Sequence, residues 1–474
     1  MMHQERMPTG IRGLDHLLHG GIVRGNSLLV EGPPGSGKTT LAVRMLYEGI
    51  VRYDEPGVLI SFEEFPKQLY LEAQAFGVDL RALEDAGKLR VIWTPPSRIL
   101  DGLGGKQDFV DRVLDELGAR RLLIDSITHF KRVATTEREL REVLGEVLGK
   151  LKLRGVNAIL TKELERMDDS SIAFEEYLVD ASLRLVQPQD PHGAGSLRSV
   201  EIRKTRGQPH VSGRHPFELS EAGPAIFPRL RLRDVDAYFA GIDPPARERT
   251  TTGVPGLDRM LNGGIWRASL NLLQGGPGTG KSVIAHQFLE SGMRSGERTL
   301  LVSLRSSRSD LLAQSQALGM DWDGRVERDE LTILCFPLAE LCPEKMIDDL
   351  SGRLRFERYE RLVFDSVDDL AIAVRDIDQV REHLRVLARL FQMSNTTSLM
   401  LRHDSSKRRD VELDVSSLVN CAVGLDLGEQ KGELVRRVRV LKHSGSSHSN
   451  SVATYEIEDT GMHVDLPEQA GEAA

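Results

Sequence analysis

The sequence predicts an α/β protein of two tandem domains, each a mostly parallel sheet flanked by helices. Three observations carry this: a long internal repeat, short apolar runs alternating with helical stretches, and a glycine-rich turn between a strand and a helix in each repeat. "PTGIRGLDHLLHGGIVRGNSLLVEGPPGSGKTT" from Pro8 returns as "TTGVPGLDRMLNGGIWRASLNLLQGGPGTGKSV" from Thr251. Lys38 and Lys281 stand 243 residues apart, Asp125 and Asp365 240, and Gly207 and Gly445 238. A register that drifts so slowly implies duplicated domains. Pro244 and Pro245 interrupt any regular element in "RDVDAYFAGIDPPARERTT", which sets the expected domains at 1–245 and 246–474.

Within the first repeat, Ser27–Glu31 reads as a buried strand, and Thr39–Gly49 after the glycine-rich loop as a helix with apolar spacing. Gly57–Phe62, Leu89–Trp93, Arg121–Asp125 and Asn157–Thr161 are further short apolar strands. Helical stretches such as Phe109–Leu117 and Thr136–Leu153 separate them. Such alternation means crossover connections and a parallel sheet covered on both faces.

Composition excludes several classes. The 474 residues are 40% hydrophobic and 28% charged, the balance of a globular protein. Lys and Arg number 62 against 71 Asp and Glu, a net charge of −9, which argues against bulk electrostatic binding of DNA or of an acidic membrane. No apolar run is long enough to span a bilayer and no secretory leader is legible, so the expected location is the cytoplasm. Cys335, Cys342 and Cys421 form no paired metal motif and read as buried thiols.

The glycine-rich loop is Gly32-Pro33-Pro34-Gly35-Ser36-Gly37-Lys38-Thr39, followed by Thr40, between a strand and a helix. In that setting backbone N–H groups and the helix N-terminus cradle phosphates. Lys38 would reach the β- and γ-phosphates, and Thr39 would give its hydroxyl to Mg²⁺. Gly275-Gly276-Pro277-Gly278-Thr279-Gly280-Lys281-Ser282 repeats the pattern, so two ATP sites per chain are expected. Asp125 in "RRLLIDS" and Asp365 in "ERLVFDS" end apolar strands and suit the Mg²⁺ shell beside Thr39 and Ser282. Hydrolysis also needs a group to activate water, and "LISFEE" delivers Glu63 and Glu64 to the carboxyl edge of the sheet.

The set TGxxGLD, glycine-rich loop, "SFEE", "IDS", "TKE" and "KTRG" resembles the KaiC branch of the RecA-like ATPases over about residues 8–230 and 251–463. The resemblance implies two tandem RecA-like P-loop NTPase domains in a homohexameric ring, with ATP between neighbouring subunits. It also implies that Glu63 and Glu64 are the catalytic pair and Thr161 a polar sensor. Lys204 and Arg206 of "KTRG" would meet the neighbour's γ-phosphate, with His210 nearby. Signalling proteins are the kind of partner it suggests.

The second repeat departs from this pattern. Glu63 aligns with Arg305, Glu64 with Ser306, Thr161 with Leu401, and "KTRG" with Lys442-His443-Ser444-Gly445. Lys442 keeps one cation and Ser444 loses the other, while His448 answers His210. The second repeat is therefore expected to bind ATP without appreciable hydrolysis, Arg305 adding attraction for the phosphates. Ser416 and Ser417 fall where the resemblance puts phosphoacceptors, but without the glutamate pair self-phosphorylation is not expected. A DNA recombination ATPase is the alternative, and a non-enzymatic scaffold a third class. Only "SSKRRD" (Ser405–Asp410) and "ELVRRVRVLKH" (Glu433–His443) offer basic clusters. The acidic end "EDTGMHVDLPEQAGEAA" reads as disordered.

Overall fold

The computed structural model describes residues 5–103, 109–132, 136–164, 174–187, 198–243, 246–374, 376–403, 415–430 and 432–465. Pro244, Pro245 and the Ser405–Asp410 cluster lie outside them.

Each repeat forms one nine-stranded sheet. In the first these are β1 (Ser27–Gly32), β2 (Gly57–Ser61), β3 (Leu89–Trp93), β4 (Arg121–Asp125), β5 (Asn157–Glu163), β6 (Ala181–Val186), β7 (Arg198–Thr205), β8 (Arg214–Ser220) and β9 (Gly223–Ile226). Their spatial order is β9-β8-β7-β6-β1-β5-β4-β2-β3. The six strands from β6 to β3 are parallel, and β7 to β9 extend the sheet antiparallel. The second sheet comprises β10 (Leu270–Gly275), β11 (Thr299–Ser303), β12 (Leu331–Cys335), β13 (Arg361–Asp365), β14 (Thr397–His403), β15 (Cys421–Gln430), β16 (Glu433–His443), β17 (Ala453–Glu458) and β18 (Gly461–Asp465). Read from β18 it has the same order.

The strands foreseen from the sequence occupy the parallel part of the first sheet. Helices Lys38–Tyr53 and Glu137–Leu153 supply the crossovers foreseen between them. Leu28, Leu29 and Val30 of β1 are all buried, because helices cover both faces of a parallel sheet and leave no side for water.

The chain divides into compact units at Arg229/Leu230, upstream of the expected seam near Pro245. The reason is helix Leu232–Tyr238, whose Val235 and Phe239 are buried in the core of the second unit. The acidic end also differs from expectation. Up to Asp465 it is strand, β18 pairing with β17, and Met462 and Val464 are buried. Residues 466–474 lie outside the described residues.

A buried arginine begins the aspartate strand in each unit. Arg121 is 0% exposed, and its guanidinium donates to Glu55 at 2.6 Å, to the Met45 carbonyl at 2.8 Å and to the Pro8 carbonyl at 2.8 Å. Arg361 is 1% exposed and binds Glu297, the carbonyls of Thr251 and Phe288, and the Thr250 hydroxyl. One planar fork thus ties strand, helix and N-terminal segment together. Arg121→Ala is expected to lower the stability of the first unit by about 3 kcal/mol, since it leaves buried acceptors unpaired. Urea denaturation would show a reduced midpoint, and an unchanged midpoint would refute the role.

Candidate nucleotide sites and the family they identify

The first glycine-rich loop leaves β1 at Gly32 and enters the helix at Lys38. Gly37 has φ +97°, and a Cβ there would lie 2.5 Å from a Leu219 methyl, so both backbone and packing demand glycine. Lys38 Nζ donates to the Pro33 carbonyl at 2.9 Å. Burial lowers the lysine pKa from its ordinary value, opposed by Glu163 and Asp125. Ser36 Oγ is buried in the loop with no hydrogen-bond partner among the described residues. A polar atom so placed suits a phosphate oxygen. In the second loop Lys281 Nζ donates to Gly275 and Gly276 at 2.7 and 2.9 Å, and the Thr279 hydroxyl donates to Gly276 at 2.8 Å. Thr40 is half-buried and Ser282 exposed, each in the first turn of its helix.

Asp125 ends β4 between two threonines. Thr39 Oγ1 donates to its Oδ2 at 2.9 Å, and Thr161 Oγ1 donates to its Oδ1. Thr161, expected from the resemblance to be a polar sensor, thus hydrogen-bonds the carboxylate expected to serve Mg²⁺. Among the described residues no cluster of three His, Cys, Asp or Glu side chains could hold a metal. Mg²⁺ does not need one, since it commonly takes one or two protein oxygens with phosphate and water completing the shell.

The pair Glu63-Glu64 follows β2, beside Asp125 in register, since Ser61 lies opposite Asp125. Glu64 N–H donates to Ser61 Oγ at 3.1 Å, and its Oε2 is buried with no partner among the described residues. Burial raises the Glu64 pKa above the ordinary carboxylate value, reinforced by Glu72, Asp125 and Glu63. A carboxylate that holds its proton more tightly is a stronger base. Glu63 lies outward and pairs with His129.

The second unit keeps the frame and changes the chemistry. Ser303 lies opposite Asp365, and Ser306 N–H donates to Ser303 Oγ at 3.0 Å, as in the first. Arg305 does not face the loop as an uncommitted charge. It is bound to Asp369, with Nη2 2.6 Å from Oδ1, which corrects the expectation that it adds attraction for phosphate. Leu401 occupies the strand position of Thr161 and has no hydroxyl for Asp365. Burial raises the Asp365 pKa, opposed by His403, Lys281 and Arg305 and reinforced by Asp369.

Lys204 and Arg206 lie at the opposite edge of the sheet from the loop of their own unit. Thr205 pairs with Ala181, and Ala181 with Leu28 near the start of β1, whereas the loop leaves the end of β1 at Gly32. At about 3.3 Å per residue those four steps span roughly 13 Å. Lys204 Nζ donates to the Glu176 and Val179 carbonyls, and Arg206 Nη2 to the Tyr177 carbonyl at 2.7 Å. Burial, helped by Arg206, lowers the Lys204 pKa. His210 Nδ1 shares a 2.8 Å hydrogen bond with Thr205 Oγ1 in the same turn. In the second unit Lys442 donates to the Ser416 carbonyl at 3.0 Å, again at the far edge.

A family model described as "ATPase: KaiC" matches residues 7–231 and again 250–469. The chain belongs to the KaiC ATPase family. It is similar to the circadian clock oscillator protein KaiC of Acaryochloris marina (strain MBIC 11017), 29% identical over 473 residues, covering 96% of this chain and 88% of the relative. It is 28% identical over 472 residues to that of Synechococcus elongatus (strain ATCC 33912 / PCC 7942 / FACHB-805), covering 97% and 89%. This KaiC-family chain is thus a tandem P-loop ATPase, and no described helix is long and apolar enough to cross a membrane.

Sequence reasoning missed His129 and Asp369 of the KaiC-family repeats. Each stands four residues after its strand-end aspartate. The signal was present: where one repeat has Glu63 and His129, the other has Arg305 and Asp369.

Proposed function

We propose that the chain is a Mg²⁺-dependent ATPase whose first unit hydrolyses ATP and whose second unit mainly binds it, working as a homohexameric ring that switches conformation in cytoplasmic signalling. The observation that carries this reading is the asymmetry at one shared corner. Glu63 and Glu64 follow the strand beside Asp125 and Thr161 hydrogen-bonds it, while Arg305, Ser306 and Leu401 stand at the matching positions near Asp365.

Bound MgATP would supply the phosphoryl group and the charge that develops on it. Lys38 and the loop N–H groups would hold the phosphates, and Thr39 and Asp125, the latter hydrogen-bonded by Thr161, would hold Mg²⁺. Glu64 accepts a proton from the attacking water, its raised proton affinity favouring the transfer. Lys204 and Arg206, remote from their own loop, complete the site of the next subunit. In the second unit Lys281, Ser282, Asp365 and the partner's Lys442 bind nucleotide without a base.

Phosphate release by the full chain beside Lys38→Ala and Lys281→Ala tests the assignment. Lys38→Ala is expected to lose about a hundredfold, as one removed charge donor typically costs. Lys281→Ala should retain most of the release while losing one bound nucleotide per chain. The reverse pattern would place hydrolysis in the second unit.

A further inference from the structure

We propose that His129 is a positioning residue for Glu63, and that the second unit closes the same corner with the charges exchanged. The inference rests on the catalytic reading of Glu63 given above.

His129 lies on the turn Ile127–Arg132 that follows Asp125, and its N–H donates to the Ser126 carbonyl at 3.2 Å. It is 7% exposed. Its ring stands edge-on to Phe62 at 6.4 Å between centroids, and Phe62 packs edge-on to Phe130 at 5.1 Å. The ring is therefore fixed by its packing, and Nε2 lies 3.1 Å from Glu63 Oε1. Glu63 is 59% exposed, and the contact narrows the set of rotamers its side chain samples. The segment that carries the Mg²⁺ aspartate thus also carries the group that orients the neighbouring glutamate.

The second unit supplies an independent observation. Phe62 N–H donates to the Asp125 carbonyl at 3.2 Å, and Leu304 N–H to the Asp365 carbonyl at 2.8 Å, so the two corners share one backbone geometry. Arg305 occupies the Glu63 place and Asp369 the His129 place. Arg305 donates to Asp369 Oδ1 through Nε at 3.2 Å and Nη2 at 2.6 Å. Asp369 is 1% exposed, and its other oxygen accepts from Ser366 Oγ at 2.8 Å. Acid and base have traded sides, as expected of positions that work as a pair. The pairs differ in consequence. A guanidinium held by a buried carboxylate is a closed, charge-neutral latch. An imidazole with its proton on Nε2 needs no charge to donate, and it leaves the glutamate its negative charge at the site.

The test is ATP turnover by the full chain carrying His129→Leu, His129→Gln or His129→Asn, beside Glu63→Gln, with kcat, KM for MgATP and melting temperature recorded. His129→Leu is expected to lower kcat about tenfold with KM within about twofold, the cost of a misdirected group. His129→Gln should recover to within about threefold, because its Nε2 stands as many bonds from Cβ as that of histidine. His129→Asn falls one bond short and should stay low. If His129→Leu does not fold, the contrast between glutamine and asparagine decides. Wild-type kcat in all three variants, or equal losses in glutamine and asparagine, would overturn the positioning role. If Glu63→Gln lowers turnover while the His129 variants do not, only that role falls. If Glu63→Gln itself is harmless, the catalytic reading of Glu63 falls and takes this proposal with it.

Discussion

Replacing Glu63 and Glu64 together by glutamine is expected to lower steady-state phosphate release by on the order of a thousandfold, the range a lost general base commonly costs. Glutamine preserves size and can still accept hydrogen bonds at this corner, so nucleotide binding should persist. The loss should appear in kcat with little change in KM, the mark of an interaction made in the transition state. The pH profile carries the same information. Burial, Glu72, Asp125 and Glu63 all raise the Glu64 pKa, and a base works only when deprotonated. The acid limb of kcat/KM should therefore lie at a higher pH than an unperturbed glutamate would give. The activity is present above the raised pKa and lost as pH drops through it. Survival of turnover in the double variant would remove both glutamates from the mechanism and reopen the second unit.

Arg206→Ala is expected to cost a comparable or larger factor, roughly a thousandfold, because a cation brought to the transferred phosphoryl group from a neighbour carries that much of the rate. The sheet register makes the neighbour necessary. Arg206 follows the end of β7, at the edge where β1 begins, and its guanidinium rests on the Tyr177 carbonyl. Assembly would have to exchange that contact for phosphate. Complementation separates this from simple damage. Arg206→Ala and Glu63→Gln/Glu64→Gln chains are each expected to be inactive alone, while an equal mixture that exchanges subunits should regain about a quarter of wild-type turnover, since random head-to-tail pairing unites the intact halves that often. No recovery in mixtures shown to exchange would rule out action between subunits.

Much of the architecture was legible because it rests on local rules. A buried parallel strand must be apolar along its length, and a phosphate loop must have glycine where φ is positive, as at Gly37. Duplication added a second reading of the loops and of the strand-end aspartates Asp125 and Asp365, whereas Glu63 and Glu64 were read from the first repeat alone. The failures were of another kind. The seam moved because Val235 and Phe239 find their core in the second unit, which no local break at Pro244 and Pro245 could reveal. The acidic end became strand to Asp465 because β17 supplies a partner. Arg305 was misjudged because its partner, Asp369, is 64 residues away.

What the sequence determined by itself is the chemistry available: two phosphate loops, one glutamate pair and cations on "KTRG", each a matter of residue type and spacing along a strand or turn. Only the tertiary structure decided how those groups are paired. It set Thr161 against Asp125, His129 against Glu63 and Arg305 against Asp369, and it placed Lys204 and Arg206 at the edge away from their own loop. The physical reason is that the order of strands across a sheet is independent of their order along the chain. Side chains from distant segments therefore meet only where register and burial bring them to one edge, and no spacing in the sequence encodes that meeting.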